Sequence, residues 1–419
     1  MQVSPDERSL LRILHVPHAY HPVVGGTEML CKRVGEVLAA QGHEVQVLTT
    51  DAGAVQAYYE FGITRVAYAD QTISGVPVKR LKFSGGLYRA GGWAEAHLRP
   101  RWLAQRVAGR TRQLLYKRLD RQIAKEIARI RPDVVMTMPH LMVNVQSVLA
   151  ARSQLGFPLV LVPLLHEHDP NVDIPATTKG LSFADAVIAQ TRHEADRLAE
   201  AYGVARPKIF LASEGVDVAP EPTPQPERRK RVVFLGRQVK SKGIGDLIEA
   251  MRLVWPEYPD AELAIAGIRM PESAEVDAQI AALPSSDRAR ILQCGTVSDK
   301  ERDDLLWSAR CLVLPSKIES FGMVILDAWA HARPVITWDL PVFRSIVDDG
   351  ITGLLADPRG GPPALAEAML RILEKPDEAD RMGMCGYKVA EATHSWSNVA
   401  AAYLDAYRYA IRANRCGDS

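Results

Sequence analysis

The chain has 419 residues, which is enough for two or three domains of ordinary size. Its 47% hydrophobic and 24% charged residues are typical of a globular protein with a substantial core. The formal net charge of +1 excludes a polyelectrolyte role for the chain as a whole. An odd number of cysteines without a C-x-x-C pair argues against a disulfide scaffold or a cysteine-rich zinc site; they are Cys31, Cys294, Cys311, Cys385 and Cys416.

The sequence has no apolar run that could cross a bilayer. The longest, at 157–165, is much shorter than the ~20 residues that a membrane-spanning helix needs. Residues 1–10 contain Asp6, Glu7 and Arg8 and no apolar segment, which argues against a secretory signal. We therefore expect a cytoplasmic protein.

Charge is distributed unevenly along the chain. Residues 79–131 contain fifteen Lys and Arg against three acids, so this stretch carries a net charge of +12 and the remainder carries −11. Such asymmetry predicts an anionic partner for one region, which could be a membrane surface, a nucleic acid or an acidic ligand.

Segments rich in β-branched residues alternate with amphipathic segments, which is typical of parallel sheets with crossover helices. Between the first two strands, apolar residues at Leu30, Val34, Val37 and Leu38 have helical spacing and predict a helix at 27–41. The strands predicted in the first half lie at 11–16, 45–50, 76–83, 133–138, 158–164, 186–189 and 208–212.

Three prolines at 222, 224 and 226 predict a linker at 221–231, after which the alternation restarts. We therefore predict an α/β protein of two Rossmann-like, doubly wound domains at 1–217 and 218–394, facing each other across a ligand-binding cleft. The strands predicted in the second half lie at 232–235, 262–266, 290–293, 311–314 and 334–337, and the helices at 244–254, 300–309 and 323–332.

The first candidate site follows the first predicted strand, where Gly25 and Gly26 stand immediately before a helix. Glycines let backbone N–H groups approach an anion, and the N-terminus of a helix favours negative charge. A plain strand-to-helix turn has the same pattern, so both interpretations stay open here.

The second candidate site is the loop where the first strand of the second domain ends. Arg237 supplies a planar fork of donors and Lys242 a compact charge, while Gly236 and Gly243 let the backbone come close to a ligand. A solvated basic loop is the alternative. Because the loop follows the carboxyl end of a strand, we favour anion binding.

The third candidate site is a strand, a glycine-containing turn and a helix at 314–327. Glu319 is predicted in the turn and Asp327 about six residues inside the helix, ~9 Å further along its axis, with the free N–H groups of 321–324 between them. This order matches a sugar, a diphosphate and a ribose laid along one helix. The alternatives are a helix cap for Glu319 and an exposed helical acid for Asp327.

In this order and spacing, the three motifs resemble those of family 4 glycosyltransferases, which have the two-domain GT-B fold. Glu319 and Asp327 correspond to the E-x7-E motif of that family. The resemblance also covers 25–28, 215–217 and 349–353. It includes Trp396 with the helix 400–409, and it implies that 395–419 crosses back onto the first domain.

Three positions depart from the family pattern. Asp327 replaces a glutamate and is one methylene shorter, so its ribose contact could pass through water. Glu214 stands where the family has asparagine. Residues 340–346 replace a Gly-Gly-x-Pro-Glu stretch and lack its acid, so the resemblance does not assign the donor sugar.

The resemblance implies a retaining glycosyltransferase that moves a sugar from a nucleotide-diphosphate sugar to an acceptor hydroxyl in glycan, glycolipid or polysaccharide biosynthesis. The acceptor would be a sugar, a lipid-linked molecule or an anionic molecule. By this resemblance the catalytic residues are His166, Arg237, Lys242 and Glu319. The donor-binding residues would be Gly25, Gly26, Gly236, Val297, Ser320, Phe321, Gly322, Met323, Val324 and Asp327.

The histidine near the reacting sugar has two candidate positions. His166 fits the family pattern best, and His168 is the alternative register. Glu167 and Asp169 beside them could instead hold Mn or Zn, or form a helix-capping acid cluster. Because Arg237 and Lys242 already supply positive charge for a diphosphate, we expect no metal and no cofactor.

The basic stretch 79–131 interleaves its Lys and Arg with Trp93, Trp102 and Leu114, which is typical of an interfacial membrane helix. We therefore expect peripheral binding to the inner face of an anionic membrane. A helix that is basic outside and apolar inside is the alternative. No nucleic-acid recognition motif accompanies the charge, so nucleic acid is not expected.

Two functions of other classes remain as alternatives at this point. One is a nucleotide-sugar epimerase on a similar fold, which needs an acid/base pair across the sugar and no acceptor pocket. The other is a non-catalytic module that binds a nucleotide sugar or a membrane; the joint presence of Arg237, Lys242 and Glu319 argues against it.

Overall fold

The structure is a computed structural model that describes residues 10–23, 25–53, 58–59, 66, 69–83, 86–140, 142–166, 174–218 and 229–417. No helix in these ranges is both long enough and apolar enough to cross a membrane. The linker predicted at 221–231 lies mostly outside the described residues.

The first half of the chain forms an eight-stranded sheet. Its strands are β1 (Arg12–Pro17), β2 (Glu44–Thr50), β3 (Gln71–Ile73), β4 (Val76–Leu81), β5 (Val134–Met138), β6 (Leu159–Leu161), β7 (Ala186–Ala189) and β8 (Ile209–Leu211). The order across the sheet is β3-β4-β2-β1-β5-β6-β7-β8, and every pair is parallel except β3 with β4.

The second half forms a six-stranded, fully parallel sheet. Its strands are β9 (Arg231–Leu235), β10 (Glu262–Ala266), β11 (Ile291–Gly295), β12 (Cys311–Leu314), β13 (Val335–Trp338) and β14 (Gly353–Ala356). They lie in the order β11-β10-β9-β12-β13-β14. All residues of β9 are buried, because helices cover both faces of a parallel sheet.

Helices connect most successive strands in both halves, although β3 and β4 form an antiparallel pair joined directly at 74–75. In the first half they are α1 (Gly26–Ala40), α2 (Gly86–His97), α3 (Arg101–Ile130), α4 (Val143–Leu155), α5 (Ile174–Ser182) and α6 (Arg192–Glu200). In the second they are α7 (Ile244–Val254), α8 (Ser273–Ala282), α9 (Ser285–Arg288), α10 (Asp299–Ser308), α11 (Val324–Ala330), α12 (Pro341–Arg344), α13 (Gly361–Glu374), α14 (Pro376–Thr393) and α15 (Trp396–Gly417).

The strand order reverses direction at one point in each sheet. The central strand β1 has β2 on one side and β5 on the other, and β9 lies in the same way between β10 and β12. Loops diverge at such a switch point and leave a crevice at the carboxyl ends of the strands. The candidate loops after β1, β9 and β12 all start at these crevices.

The chain passes between the two halves at two adjacent places. Val216 pairs with Ser395, and the Val216 N–H donates to the His394 carbonyl oxygen at 2.8 Å. Helix α15 then returns to the first sheet, where Trp396, Tyr403 and Tyr407 are buried in its core. The C-terminal helix therefore packs with the first domain.

Each predicted helix or strand is of the same type in the structure, but some begin or end at different residues. The strand predicted at 158–164 is limited to Leu159–Leu161, and the helix predicted at 323–332 is the shorter Val324–Ala330. Strands β3 and β14 were not predicted. Two doubly wound parallel sheets confirm the predicted α/β class.

Candidate active site

Two loops of the second domain, one after β9 and one after β12, are joined at the cleft. The Lys317 N–H donates to the Ser241 carbonyl oxygen at 2.9 Å. Gly243 has φ of +72°, and a Cβ there would overlap the Pro315 carbonyl oxygen. Only glycine permits both this conformation and this close approach. The contact places the side chains of Lys242 and Glu319 side by side.

Lys242 and Glu319 form an ion pair between Nζ and Oε1. Their side chains are only 15% and 11% exposed, so each charge depends on the other for compensation. Met323, not Glu319, occupies the N-cap position of α11, so the helix-cap alternative for Glu319 is wrong. The site therefore holds a cation and an acid in direct contact.

Arg237 lies on the same loop as Lys242, directly after Gly236. Its side chain is exposed and makes no ion pair with any residue that the structure describes. The guanidinium is therefore available for a ligand at the mouth of the cleft. Gly236 has φ of +152°, a conformation that favours glycine.

The turn before α11 offers backbone N–H groups to the cleft. Within the described parts of the chain, the N–H groups of Gly322, Met323 and Val324 have no acceptor. Phe321 packs its ring against His394 and is buried, so only its backbone could serve a ligand. Ser320 lies in the same turn.

The position of Asp327 differs from the prediction. Helix α11 begins at Val324, so Asp327 lies in its first turn and not six residues inside. Its side chain is only 23% exposed, so the alternative of an exposed helical acid is wrong. Burial raises the pKa of Asp327 to about 6, although the Arg302 guanidinium opposes this shift.

The glycine loop of the first domain faces α11 of the second. A Cβ on Gly26 would lie 2.9 Å from the sulfur of Met323, so the two domains approach closely at this point. Gly25 lies against the carboxylate of Glu28, which pairs with His18 between Nε2 and Oε1 at 3.0 Å. The His18–Glu28 pair fixes this loop and was not singled out from the sequence.

Val297 lies in the loop between β11 and α10, at the same edge of the second sheet. It is half-buried and packs against the core cluster that includes Leu314 and Phe321. The next residue, Ser298, begins α10 in a capping box with Glu301. The structure thus brings Val297 to the edge of the second sheet where the loops after β9 and β12 also lie.

His166 follows β6 and is half-buried. Its carbonyl oxygen accepts from Arg197 Nη1 at 3.3 Å. His168, Glu167 and Asp169 lie outside the described residues, so the choice between the histidines and the metal alternative stays open. No cluster of three or more metal-ligating side chains occurs in the part of the chain that the structure describes.

Two buried acids, Glu194 and Glu214, belong to a hydrogen-bond network that holds the backbone next to His166. Glu194 accepts from the N–H groups of Leu165 and Gln190, both at 2.8 Å. The Gln190 side chain in turn donates to Glu214, at the crossover between the domains. Burial raises the pKa of Glu194 to about 7 and that of Glu214 to about 8. The sequence analysis did not identify this support, although Thr191 and Glu194 have the spacing of a capping box and could have indicated it.

Other histidines have structural surroundings. Burial lowers the pKa of His140 to about 4, so its ring is neutral at physiological pH. His15 is buried against Tyr407, with 2.9 Å between Nε2 and the hydroxyl oxygen. His97 stacks on Trp93.

Two α/β domains whose strand-end loops face each other, with a cation–acid pair and free backbone donors in the cleft, agree with the predicted GT-B architecture. The family model described as "Glycosyltransferase Family 4" matches residues 24–220, and that described as "Glycosyl transferases group 1" matches residues 217–389. Together they span most of the chain, which belongs to the family 4 glycosyltransferases.

Curated relatives and solved structures agree with this assignment. The chain is 28% identical to a glycogen synthase of Mycobacterium tuberculosis over 241 residues, which are 55% of this chain and 56% of the relative. It is 28% identical to a D-inositol 3-phosphate glycosyltransferase of Xylanimonas cellulosilytica over 248 residues, covering 55% and 58% of the two chains. The alignments thus span about half the length of these relatives.

Structural similarity extends over nearly the whole chain. A sucrose-phosphate synthase from Thermosynechococcus elongatus superposes with a TM-score of 0.72 at 20% identity, covering 95% of this chain and 98% of that one. Anabaena Alr3699/HepE, solved in complex with UDP and glucose, superposes with a TM-score of 0.69 at 16% identity, and the alignment covers 94% of this chain and 98% of that one. The predicted GT-B fold is confirmed. Neither the epimerase nor the non-catalytic module finds support among these proteins.

The buried acids give a prediction about stability against pH. The pKa of Glu214 is higher in the folded chain than in the unfolded chain, so the folded state binds the extra proton and loses stability as pH rises from about 5 to about 8. Glu214→Gln keeps a neutral acceptor for Gln190 and should raise the melting temperature relative to the parent at pH 8 but not at pH 5. Thermal unfolding at both pH values measures this.

The matched control is Glu275→Gln, which removes the same charge from an exposed position on α8. It should leave the pH dependence of the melting temperature unchanged. If Glu214→Gln and Glu275→Gln behave alike, Glu214 does not titrate as its burial implies.

Proposed function

We propose that this protein transfers a sugar from a nucleotide-diphosphate sugar to an acceptor hydroxyl, with retention of the anomeric configuration and without a metal ion. The observation that carries the proposal is the Lys242–Glu319 ion pair, held at the junction of two strand-end loops. Met323, which follows the second of these loops, approaches Gly26 of the first domain. A donor entering this cleft would separate the pair, with its diphosphate binding Lys242 and its sugar hydroxyls binding Glu319.

In the proposed mechanism, the bond between the anomeric carbon and the diphosphate oxygen breaks while the acceptor oxygen attacks from the same face. The acceptor proton passes to the departing phosphate oxygen. Negative charge therefore grows on the diphosphate, where Lys242, Arg237, the backbone of Gly26 and the N–H groups before α11 would stabilise it.

The remaining residues would position the donor. Glu319 would accept from hydroxyls of the transferred sugar, and Asp327 from the ribose. His166 would lie against the sugar near the reacting carbon, and the base would lie against Val297. Two side-chain cations in one loop support a metal-independent reaction, because they supply the charge that a divalent ion provides elsewhere.

Arg237→Ala and Lys242→Ala should each lower turnover by about two orders of magnitude without loss of fold. Removing one donor that acts in the transition state typically costs ~3 kcal/mol. The measurement is turnover with saturating UDP-glucose and acceptor, alongside thermal unfolding, in the presence and absence of EDTA. UDP-glucose is the donor probe because the similar Anabaena Alr3699/HepE has been solved in complex with it. We expect chelation to leave the parent activity unchanged.

Lys240→Ala is the matched control, because Lys240 is an exposed lysine of the same loop without an ion pair among the residues described. It should retain full turnover. Near-parent turnover in both test variants would refute the proposed leaving-group site, and activity that EDTA abolishes and Mn restores would refute metal independence.

We further propose that helices α2 and α3 dock the first domain onto an anionic membrane. Helix α3 has exposed basic side chains that form no ion pair with any residue in the described ranges: Arg101, Arg106, Arg110, Lys117, Arg118, Arg121 and Lys125. Both acids of this helix are already paired, Asp120 with Ser147 and Glu126 with Lys79 and with Arg129 of the same helix. All the exposed charged side chains of α3 are therefore basic.

Large apolar side chains accompany this charge. Trp93, Trp102 and Leu114 are 58%, 61% and 53% exposed, and aromatic rings beside basic groups favour the lipid interface. Helix α2 follows the carboxyl end of β4, which lies at the same edge of the first sheet as the carboxyl end of β1. A membrane bound here would therefore lie on the cleft side of the first domain. This placement favours a lipid-linked acceptor.

Changing Arg99, Arg101, Arg106 and Arg110 together to Gln should abolish sedimentation with anionic liposomes at low salt. Near-surface basic residues contribute ~1 kcal/mol each on such membranes. Binding of the parent should fall as salt rises, because the Debye length is only about 8 Å at physiological ionic strength.

The matched control changes Arg381, Lys388, Arg412 and Arg415 to Gln, which removes the same charge from exposed positions on α14 and α15. It should sediment as the parent does. Absence of parent binding to anionic vesicles at low salt would leave α3 as a solvated helix face or a site for a soluble anionic acceptor.

A further inference from the structure

Arg302 on α10 lies among three carboxylates. Its Nη2 donates to Asp303 Oδ1 at 3.0 Å and its Nη1 to Asp299 Oδ1 at 3.2 Å, both on its own helix. Its Nη1 is also 3.9 Å from Oδ1 of Asp327 on α11. The guanidinium thus bridges α10, which follows the proposed base loop, and the acid proposed to bind the ribose.

The geometry points to Arg302 as a positioning residue that keeps Asp327 ionised while leaving both of its carboxylate oxygens open for the ribose hydroxyls of the donor. This inference rests on the proposed donor role of Asp327.

The separation of 3.9 Å between Arg302 Nη1 and Asp327 Oδ1 determines how the guanidinium can act on the carboxylate. It is short enough for charge stabilisation in a partly buried site and too long for a hydrogen bond. The hydrogen bonds of Arg302 go to Asp299 and Asp303, which hold its guanidinium in place. Among the residues that the structure describes, none donates a hydrogen bond to the Asp327 carboxylate. Arg302 therefore supplies charge without occupying an acceptor position.

Asp327 needs such a partner because its other surroundings disfavour its charge. The groups facing it from α10 are Arg302, Asp303 and Asp299, and only Arg302 is cationic. His331, after α11, bonds through Nδ1 to the Asp327 carbonyl oxygen and lies 3.4 Å from Asp303 through Nε2. Burial lowers the pKa of His331, so it adds no permanent positive charge.

Ionisation matters because a carboxylate is purely an acceptor, whereas a protonated carboxyl gives up part of that capacity. Ribose hydroxyls are donors to such a group. As pH falls through the pKa of Asp327, donor affinity should therefore weaken. Removing Arg302 should raise that pKa further and move the weakening to higher pH.

The test is the affinity for UDP-glucose, measured by calorimetry from about pH 5.5 to about pH 8.5 on the full chain. UDP-glucose is a better probe than UDP. The second phosphate of UDP-glucose is esterified to the sugar and does not titrate in this range, whereas the terminal phosphate of UDP does. In Arg302→Gln we expect the midpoint of the pH dependence to move up by about one unit, with affinity near the parent value at the alkaline end. Arg302→Lys should restore the parent midpoint in large part.

Lys300→Gln is the matched control, since it removes one exposed cation of α10 that pairs with Asp304 and not with Asp327. Its midpoint should equal that of the parent. If Arg302→Gln weakens binding by the same factor at every pH, or leaves binding unchanged, the inference is overturned.

Asp327→Asn separates this inference from the function on which it rests. We expect weaker binding of UDP-glucose and no pH dependence in this range. If Asp327→Asn binds as the parent does, the proposed donor role of Asp327 fails. If it binds weakly while Arg302→Gln keeps the parent midpoint, only the role of Arg302 fails.

Discussion

The ion pair between Lys242 and Glu319 is the interaction on which the proposed site depends. Burying these two opposite charges costs free energy unless they are in direct contact. This contact requires the loops after β9 and β12 to touch. Gly243 permits that approach by leaving room for the Pro315 carbonyl oxygen. Opposite charges held in this way are ready to exchange partners with a ligand that carries both an anion and hydroxyl groups.

The arrangement of the two sheets gives this pair its surroundings. Each sheet has its switch point at a central strand, so the glycine loop after β1 and the paired loops after β9 and β12 open toward each other. Gly26 and Met323 mark how closely the domains approach. The double crossover near Val216 and Ser395, together with α15 packed on the first sheet, links the two halves.

Much of the fold could be predicted from the sequence, because parallel strands are continuous apolar runs and glycine-rich turns mark their ends. Gly243, Lys242 and Glu319 were visible as motif members, yet their contact spans 77 residues and depends on loop geometry that periodicity does not encode. The burial of Asp327 and its relation to Arg302 depend on how α10 packs beside α11. The Glu194 support of the His166 loop likewise appears only when β6 and α6 are brought together.

We propose that the donor divides the ion pair, with Lys242 binding the diphosphate and Glu319 binding the sugar. The most direct measurement is the affinity of Lys242→Ala and Glu319→Gln for UDP and for UDP-glucose. If the donor divides the pair in this way, Lys242→Ala weakens the binding of both ligands. Glu319→Gln weakens the binding of UDP-glucose alone and leaves UDP bound as tightly as in the parent, or more tightly because Lys242 is released. Equal weakening of both ligands by Glu319→Gln, or loss of UDP-glucose alone in Lys242→Ala, would contradict it.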